Sequence, residues 1–335
     1  MANVLIIGGA GFIGSHLVAR FLEEKHTVHV LARPETNLHR LEQVRADIQL
    51  HILHLDDRKA LQRCFETAMP HYVFYLAAAT RRKPEPGLGD AFGSVQEDLL
   101  GLLSTIAVAA EARVPPIAFV RAGTLAAYGG TPMPHVETQR EVPKTTYAAA
   151  LVAGAHYVEA LQQRLPFPIV TARLSLVFGP NQSDEFLIPS LIRCCLAGEH
   201  SIVRRPNERR DLLFVDDAVE ALYRLSMVHA QGASIVNIAS GHAPTMREVA
   251  TRIIAASGAD PALVEFLRTV TSGDIDLCPS PALAEEVFGW KARVTLDHGI
   301  ARTVAWWREN MRLPAPSTTA VQTPCRNNGS PPGRP

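Results

Sequence analysis

The chain has 335 residues, 47% of them hydrophobic and 20% charged, and its formal net charge is zero. That balance fits a soluble globular protein, one large domain plus a smaller one, and leaves no electrostatic footprint for nucleic acid or an acidic membrane surface. No stretch approaches the roughly 20 apolar residues of a membrane span.

Residues 4–7 are a short apolar run that ends in a glycine cluster, and a helical pattern follows through Leu17, Val18, Phe21 and Leu22. Met1-Ala2-Asn3 runs straight into this first strand, with no room for a secretory leader, so a cytoplasmic location is expected. Further strands are predicted at 28–31, 48–53, 72–76, 117–120 and 169–173, with helices at 58–66, 95–112 and 147–164 between them. This alternation predicts an α/β protein with a doubly wound parallel sheet covered on both faces. Beyond residue 173 the rhythm changes: Pro180, Pro189 and Pro206 interrupt it, and helices at 186–197, 245–257, 281–288 and 296–310 have little strand between them. Segments 212–215 and 235–238 are candidates to return to the main sheet. The expected organisation is a nucleotide-binding unit at 1–173, a smaller C-terminal α/β substrate-binding lobe at 174–313, and a disordered tail at 314–335. The tail is rich in Pro, Ser, Thr and Asn and cannot bury enough surface to offset its ordering entropy. The five cysteines (Cys64, Cys194, Cys195, Cys278, Cys325) show no CxxC spacing, which favours reduced thiols over disulfides or a metal site.

The sharpest signal is Val4-Leu5-Ile6-Ile7-Gly8-Gly9-Ala10-Gly11-Phe12-Ile13-Gly14. Gly8 permits a tight turn off the strand, Gly11 lets backbone approach a pyrophosphate, and Gly14 lets the helix pack closely on the sheet. The helix opened by Phe12 and Ile13 then offers its unpaired N–H groups and positive dipole end to the phosphates. A glycine triplet is weak alone; between a strand and a helix it predicts a Rossmann-type dinucleotide site. The second strand ends Val30-Leu31-Ala32-Arg33, without the Asp or Glu that holds an NAD ribose. Arg33, assisted by Arg40, therefore favours NADP, with NAD as the alternative.

With these residues in place the chain resembles the extended short-chain dehydrogenase/reductases, the NAD-dependent epimerase/dehydratase type, and within them the sugar-nucleotide branch. Val73 to Ala78 (VFYLAA) is similar to the family's HLAA strand, and Thr124 to Gly129 (TLAAYG) to its Ser/Thr-x-x-x-Tyr-Gly segment. Arg173 to Pro180 (RLSLVFGP) resembles R-x-x-N-V-Y-G-P, and Arg210 to Asp217 resembles its RDF-x-x-V-x-D. Phe288-Gly289-Trp290 and Trp306-Trp307 fit its closing pattern. The resemblance implies a nicotinamide cofactor lined by Leu55, Leu76, Ala77, Ala78 and Tyr147. It also implies catalysis by Thr124 and Tyr147: the tyrosine exchanges a proton with the substrate oxygen that the threonine holds. Thr80, Arg81 and Thr124 border the substrate, and Arg210 grips the diphosphate of a nucleotide sugar with its guanidinium fork. Arg204, Arg205 and Arg209 make the same stretch basic. Helices 95–112 and 147–164 form a homodimer interface in the family.

The departures are as informative. The family's Lys, four residues after the tyrosine, is Leu151, so Tyr147 is expected to titrate near its ordinary value of about 10. That handicaps a base and spares a proton donor, which favours ketone reduction over alcohol oxidation. Leu176 replaces a substrate-touching Asn, Asp98 replaces an Asn beside the site, and His54 stands where an Asp meets the adenine. Lys144 reads as a solvated loop residue, and His156 and His242 as ordinary polar residues. The expectation is an NAD(P)-dependent oxidoreductase, a keto-sugar reductase or an epimerase. The alternatives are a degenerate member that binds dinucleotide without turnover, and a non-redox lyase or cyclase on another metabolite.

Overall fold

Asn3–Ile7 forms β1, whose Val4 and Ile6 enter one apolar cluster while Leu5 and Ile7 enter another. A strand buried on both faces belongs in the middle of a parallel sheet, and the computed structural model puts it there. The structure describes residues 1–80, 82–228, 234–267 and 275–311; Arg81, Cys325 and the tail from residue 314 lie outside the described residues. The strands that follow are β2 (Thr27–Ala32), β3 (Ile48–Ile52), β4 (Tyr72–Tyr75), β5 (Ala118–Thr124) and β6 (Ile169–Leu174). The short β7 (Leu176–Phe178), β8 (Ser201–Val203) and β9 (Leu212–Phe214), then β10 (Ile235–Ile238) and β11 (Val264–Phe266), complete the set. The main sheet has seven strands in the order β10-β6-β5-β4-β1-β2-β3, every pair parallel. This order reverses direction between β1 and β4, and a ligand crevice opens at such a point.

Helices α1 (Phe12–Glu23), α2 (Arg58–Ala68), α3 (Gly89–Gly93), α4 (Gly101–Glu111) and α5 (Thr146–Leu161) belong to the first half. A π-helical segment, Ser94–Leu100, joins α3 to α4, so the predicted helix at 95–112 starts earlier and carries a bulge. The second half holds α6 (Leu187–Ala197), α7 (Val215–Met227), α8 (Met246–Ser257), α9 (Ala282–Phe288) and α10 (Leu296–Asn310). No described helix is long and apolar enough to cross a membrane.

Two expectations need correction. Segment 235–238 does rejoin the main sheet as β10, beside β6, but 212–215 does not. Leu212–Phe214 pairs instead with Leu176–Phe178, in a separate two-stranded sheet. The fifth strand also runs four residues beyond its predicted end at Val120, through Arg121 to Thr124. A charged residue reads as a strand end, yet this one is fully enclosed. Helix α7 carries no break from β9 and was not separable from it in sequence; it packs beside α1 on the same face of the sheet.

Candidate active site

The glycine turn has the shape a diphosphate requires. Gly8 has φ +83°, and a Cβ there would stand 2.9 Å from the Ala77 backbone nitrogen at the end of β4. At Gly14 a Cβ would stand 2.3 Å from the Gly8 carbonyl oxygen, and at Gly11, 3.1 Å from the same atom. Gly11 caps α1 without any side-chain hydrogen bond, and no acid occupies the first turn. The helix therefore presents unpaired N–H groups to the crevice, the donor set that suits an anion. Phe12, Ile13, Leu76, Ala77 and Ala78 are half-buried around this turn. Leu55 packs toward Gly101 at the start of α4, next to the Tyr75 hydroxyl.

At the end of β2 the structure adds carboxylates that the sequence reading did not pair with Arg33. Arg33 Nε is 3.2 Å from Glu35 and Nη1 is 3.7 Å from Glu97, while His54 Nε2 is 3.9 Å from Glu35. Arg40 Nε donates to the Asn181 carbonyl at 3.0 Å.

Thr124 and Tyr147 converge. Thr124 closes β5, and its hydroxyl accepts from the Ala126 N–H at 3.2 Å, capping the turn Leu125–Ala127. Tyr147 sits in the first turn of α5, fixed by Thr145, whose hydroxyl accepts from the Ala148 N–H, and by Thr146, which donates to Asp90 at 2.9 Å. The expected pKa near 10 is overturned: burial pushes Tyr147 up to about 12, opposed by a hydrogen bond with Thr124. Asp98 pushes the phenol further up and Arg121 pulls it down. Asp98 is buried on the π-helical segment, where it accepts from the Ala79 N–H at 2.9 Å and so holds the chain after β4. Burial also raises its own pKa. Thr80 follows as an exposed residue, and Arg81 lies outside the described residues. Lys144 is exposed in the loop before α5, as is His156 on the helix itself.

In the basic stretch Arg204, Arg205 and Arg209 are exposed and Arg210 is half-buried. Buried Glu208 clamps two of its arginines, accepting from Arg205 at 2.9 Å and from Arg210 at 2.7 Å. Arg209 donates to the Ala243 carbonyl. Burial lowers the Arg210 pKa, and Glu208 works against that effect. Asp211, beside it, is structural: it accepts from the N–H groups of Ser240 and His242 and from the Ser240 hydroxyl. Buried Arg173 pairs with Glu141 and lies 4.9 Å from the centre of the Tyr128 ring. Leu176 is 44% exposed, an apolar side chain left open on β7. Glu208, Glu35 and Arg121 were passed over in sequence; a charge inside an apolar strand was the one available signal, and it pointed to Arg121.

A glycine turn at the switch point of a parallel sheet, with a threonine–tyrosine pair beside it, defines an extended short-chain dehydrogenase/reductase. The chain belongs to the NAD dependent epimerase/dehydratase family, whose model matches residues 4–239. A dTDP-D-glucose 4,6-dehydratase of Homo sapiens is 25% identical over 327 residues, spanning 92% of this chain and 90% of that protein. A UDP-glucose 4-epimerase of Thermus thermophilus, solved in complex with NAD, is 27% identical with a TM-score of 0.79, covering 92% of this chain and 99% of that one. One from Thermotoga maritima, solved with UDP-glucose, shares the fold at 23% identity and a TM-score of 0.82, with coverage of 92% and 99%.

Proposed function

We propose that the chain is a nicotinamide-dependent enzyme acting on a nucleotide-activated sugar, as a keto-sugar reductase or an epimerase. The observation that carries this reading is the meeting of Thr124 and Tyr147 at the end of β5, beside a turn whose glycines leave room only for backbone and ligand. Gly8, Gly11, Gly14 and the start of α1 would hold the dinucleotide, whose nicotinamide would supply or accept a hydride. Thr124 holds the reacting oxygen, and Tyr147 donates its proton to it. A phenol held up to about 12 is protonated at neutral pH, so donation to a carbonyl is its favoured task. Arg210, steadied by Glu208, faces the diphosphate from the lobe that begins at residue 174. Dehydration, the activity named for the human relative, needs an extra base and acid for carbon-bound hydrogen and leaving hydroxyl. The turn after Thr124 is Leu125-Ala126-Ala127 and offers neither.

Between the cofactors the geometry favours NAD over the NADP that Arg33 alone indicated. A 2′-phosphate there meets the carboxylates of Glu35 and Glu97 as well as one guanidinium. A homodimer fits the exposed Phe92, Val95 and Leu100 along the run from α3 through the π-helical segment, with exposed Leu88 just before it. The competing reading, a dinucleotide binder without turnover, draws on Leu151 and Leu176. The test is consumption of NADH and of NADPH with a panel of 4-keto nucleotide sugars, and interconversion of UDP- and dTDP-hexoses with NAD. Turnover in either assay supports the proposal; tight cofactor binding with neither reaction replaces it with the binder.

A further inference from the structure

We propose that Arg121 supplies the positive charge that residue 151 lacks, acting on Tyr147 as a positioning residue from beneath α5. The inference rests on the reading of Tyr147 as the proton-carrying group. Leu151 lies one helical turn past Tyr147, about 6 Å along the axis. A cation does reach this turn, although not on a side chain of the helix: Arg121 Nη2 donates to the Leu151 carbonyl at 2.9 Å. The guanidinium arrives from β5, on the face of the sheet that α5 covers. Gly154 makes the space for it, since a Cβ there would stand 2.9 Å from Nη1.

Enclosed guanidinium groups normally end against a carboxylate, because an unpaired desolvated charge is costly. Arg173, the neighbouring buried arginine on β6, has Glu141. No carboxylate among the described residues pairs with Arg121, and its Nε and Nη1 have no hydrogen-bond partner there. The titratable groups that face it are Tyr75 on β4, opposite it in strand register, Arg173 on β6 and Tyr147 on α5. Arg173 is neutralised by its own partner, so the groups that gain from the Arg121 charge are the two phenols. Asp98, on the π-helical segment, acts on both phenols in the opposite sense. The charge that the family carries on the helix has moved to the strand below, where it offsets part of what burial and Asp98 do to Tyr147.

The test reads Tyr147 without cofactor or substrate. Tyr147→3-nitrotyrosine gives a far more acidic phenol whose ionised form absorbs visible light, so its titration falls in a range where the protein is folded. In this background Arg121→Gln keeps a donor for the Leu151 carbonyl and removes the charge; it is expected to raise the titration midpoint by roughly one to two pH units. Arg121→Lys keeps the charge and is expected to restore most of the shift. Should Arg121→Gln not fold, the double variant Arg121→Met/Leu151→Lys returns the cation to the helix and is expected to titrate like the parent. A midpoint unmoved by Arg121→Gln, or one that stays raised in the double variant, overturns the proposal. The shift is measured apart from turnover: an inactive protein with the expected shift would sink the catalytic reading and leave the Arg121 inference standing.

Discussion

Arg33 and Glu35 lie 3.2 Å apart at the end of β2, both about half exposed, where an adenine ribose would rest. In the proposed site the pair would set cofactor choice by charge: the guanidinium would attract a 2′-phosphate, and Glu35 and Glu97 would repel it while accepting a hydrogen bond from a 2′-hydroxyl. Removing one carboxylate tips the balance. Glu35→Gln is expected to tighten NADP relative to NAD by about five- to tenfold, on the scale of one exposed charge, as read by cofactor fluorescence titration. An unchanged ratio would place the ribose elsewhere.

Gly11 and Gly14 face the same Gly8 carbonyl at different distances, 3.1 and 2.3 Å from a Cβ, and separate binding from folding. A Cβ at Gly14 would collide with the Gly8 carbonyl at 2.3 Å, and backbone cannot yield cheaply. Gly14→Ala is expected to lose several degrees of melting temperature together with cofactor binding. Gly11 is exposed with an ordinary φ of −71°, so Gly11→Ala is expected to keep the fold and weaken cofactor binding about tenfold or more. Calorimetry of both variants with and without NAD shows whether the two effects divide in this way.

The residues that made the fold legible are those whose role is local. Gly8, Gly11 and Gly14 announce a turn by their spacing between a strand and a helix, and Val4 to Ile7 announces a central strand by being apolar throughout. Thr124 and Tyr147 were legible as chemistry only through a resemblance, since the 22 intervening positions say nothing of their contact. Glu208 was not legible, because a carboxylate in a basic run reads as solvated until its burial is known. Nor was Tyr147's acidity: Leu151 removes one charge in sequence, while burial and Asp98, which are three-dimensional facts, set the larger shift. Strand β9 defeated the reading for a similar reason, since a three-residue apolar run does not specify which sheet it joins.

The Tyr147 phenol, held up to about 12, makes the two directions of reaction respond differently to pH. Carbonyl reduction uses the protonated form and is expected to be insensitive to this group from pH 6 to about 10. Alcohol oxidation uses the ionised form and is expected to rise about tenfold per pH unit over the same range. Tyr147→Phe is expected to lower kcat by roughly 10²–10⁴ in either direction, with cofactor affinity unchanged. Initial rates across that range, for wild type and variant, check all three statements.

Phe92 is 70% exposed on a helical run otherwise packed against α5, and Leu88, the residue just before α3, is 68% exposed. Apolar side chains so open are suited to a surface that would meet another molecule. If that molecule is a second copy, sedimentation equilibrium gives twice the chain mass for the wild type. Phe92→Glu buries a charge in the contact and is expected to give a monomer with unchanged circular dichroism. A wild type that sediments as a monomer at micromolar concentration would remove the dimer from the proposal.

His29 and His51, on adjacent strands β2 and β3, bring Nδ1 and Nε2 within 3.0 Å. Burial, and then the neighbouring ring, lower the His29 pKa to about 4. The folded protein thus binds this proton less tightly than the unfolded chain, whose imidazole titrates near 6.5. The stability this contributes is complete above pH 6.5 and is lost as pH falls from 6.5 through 4, with a ceiling on the order of 3 kcal/mol. His29→Val, a β-branched apolar residue suited to a buried strand, takes the titrating group away. Its melting temperature is expected to fall less than that of the wild type between pH 7 and pH 4. Parallel pH curves for the two proteins would mean that another group controls the acid limb.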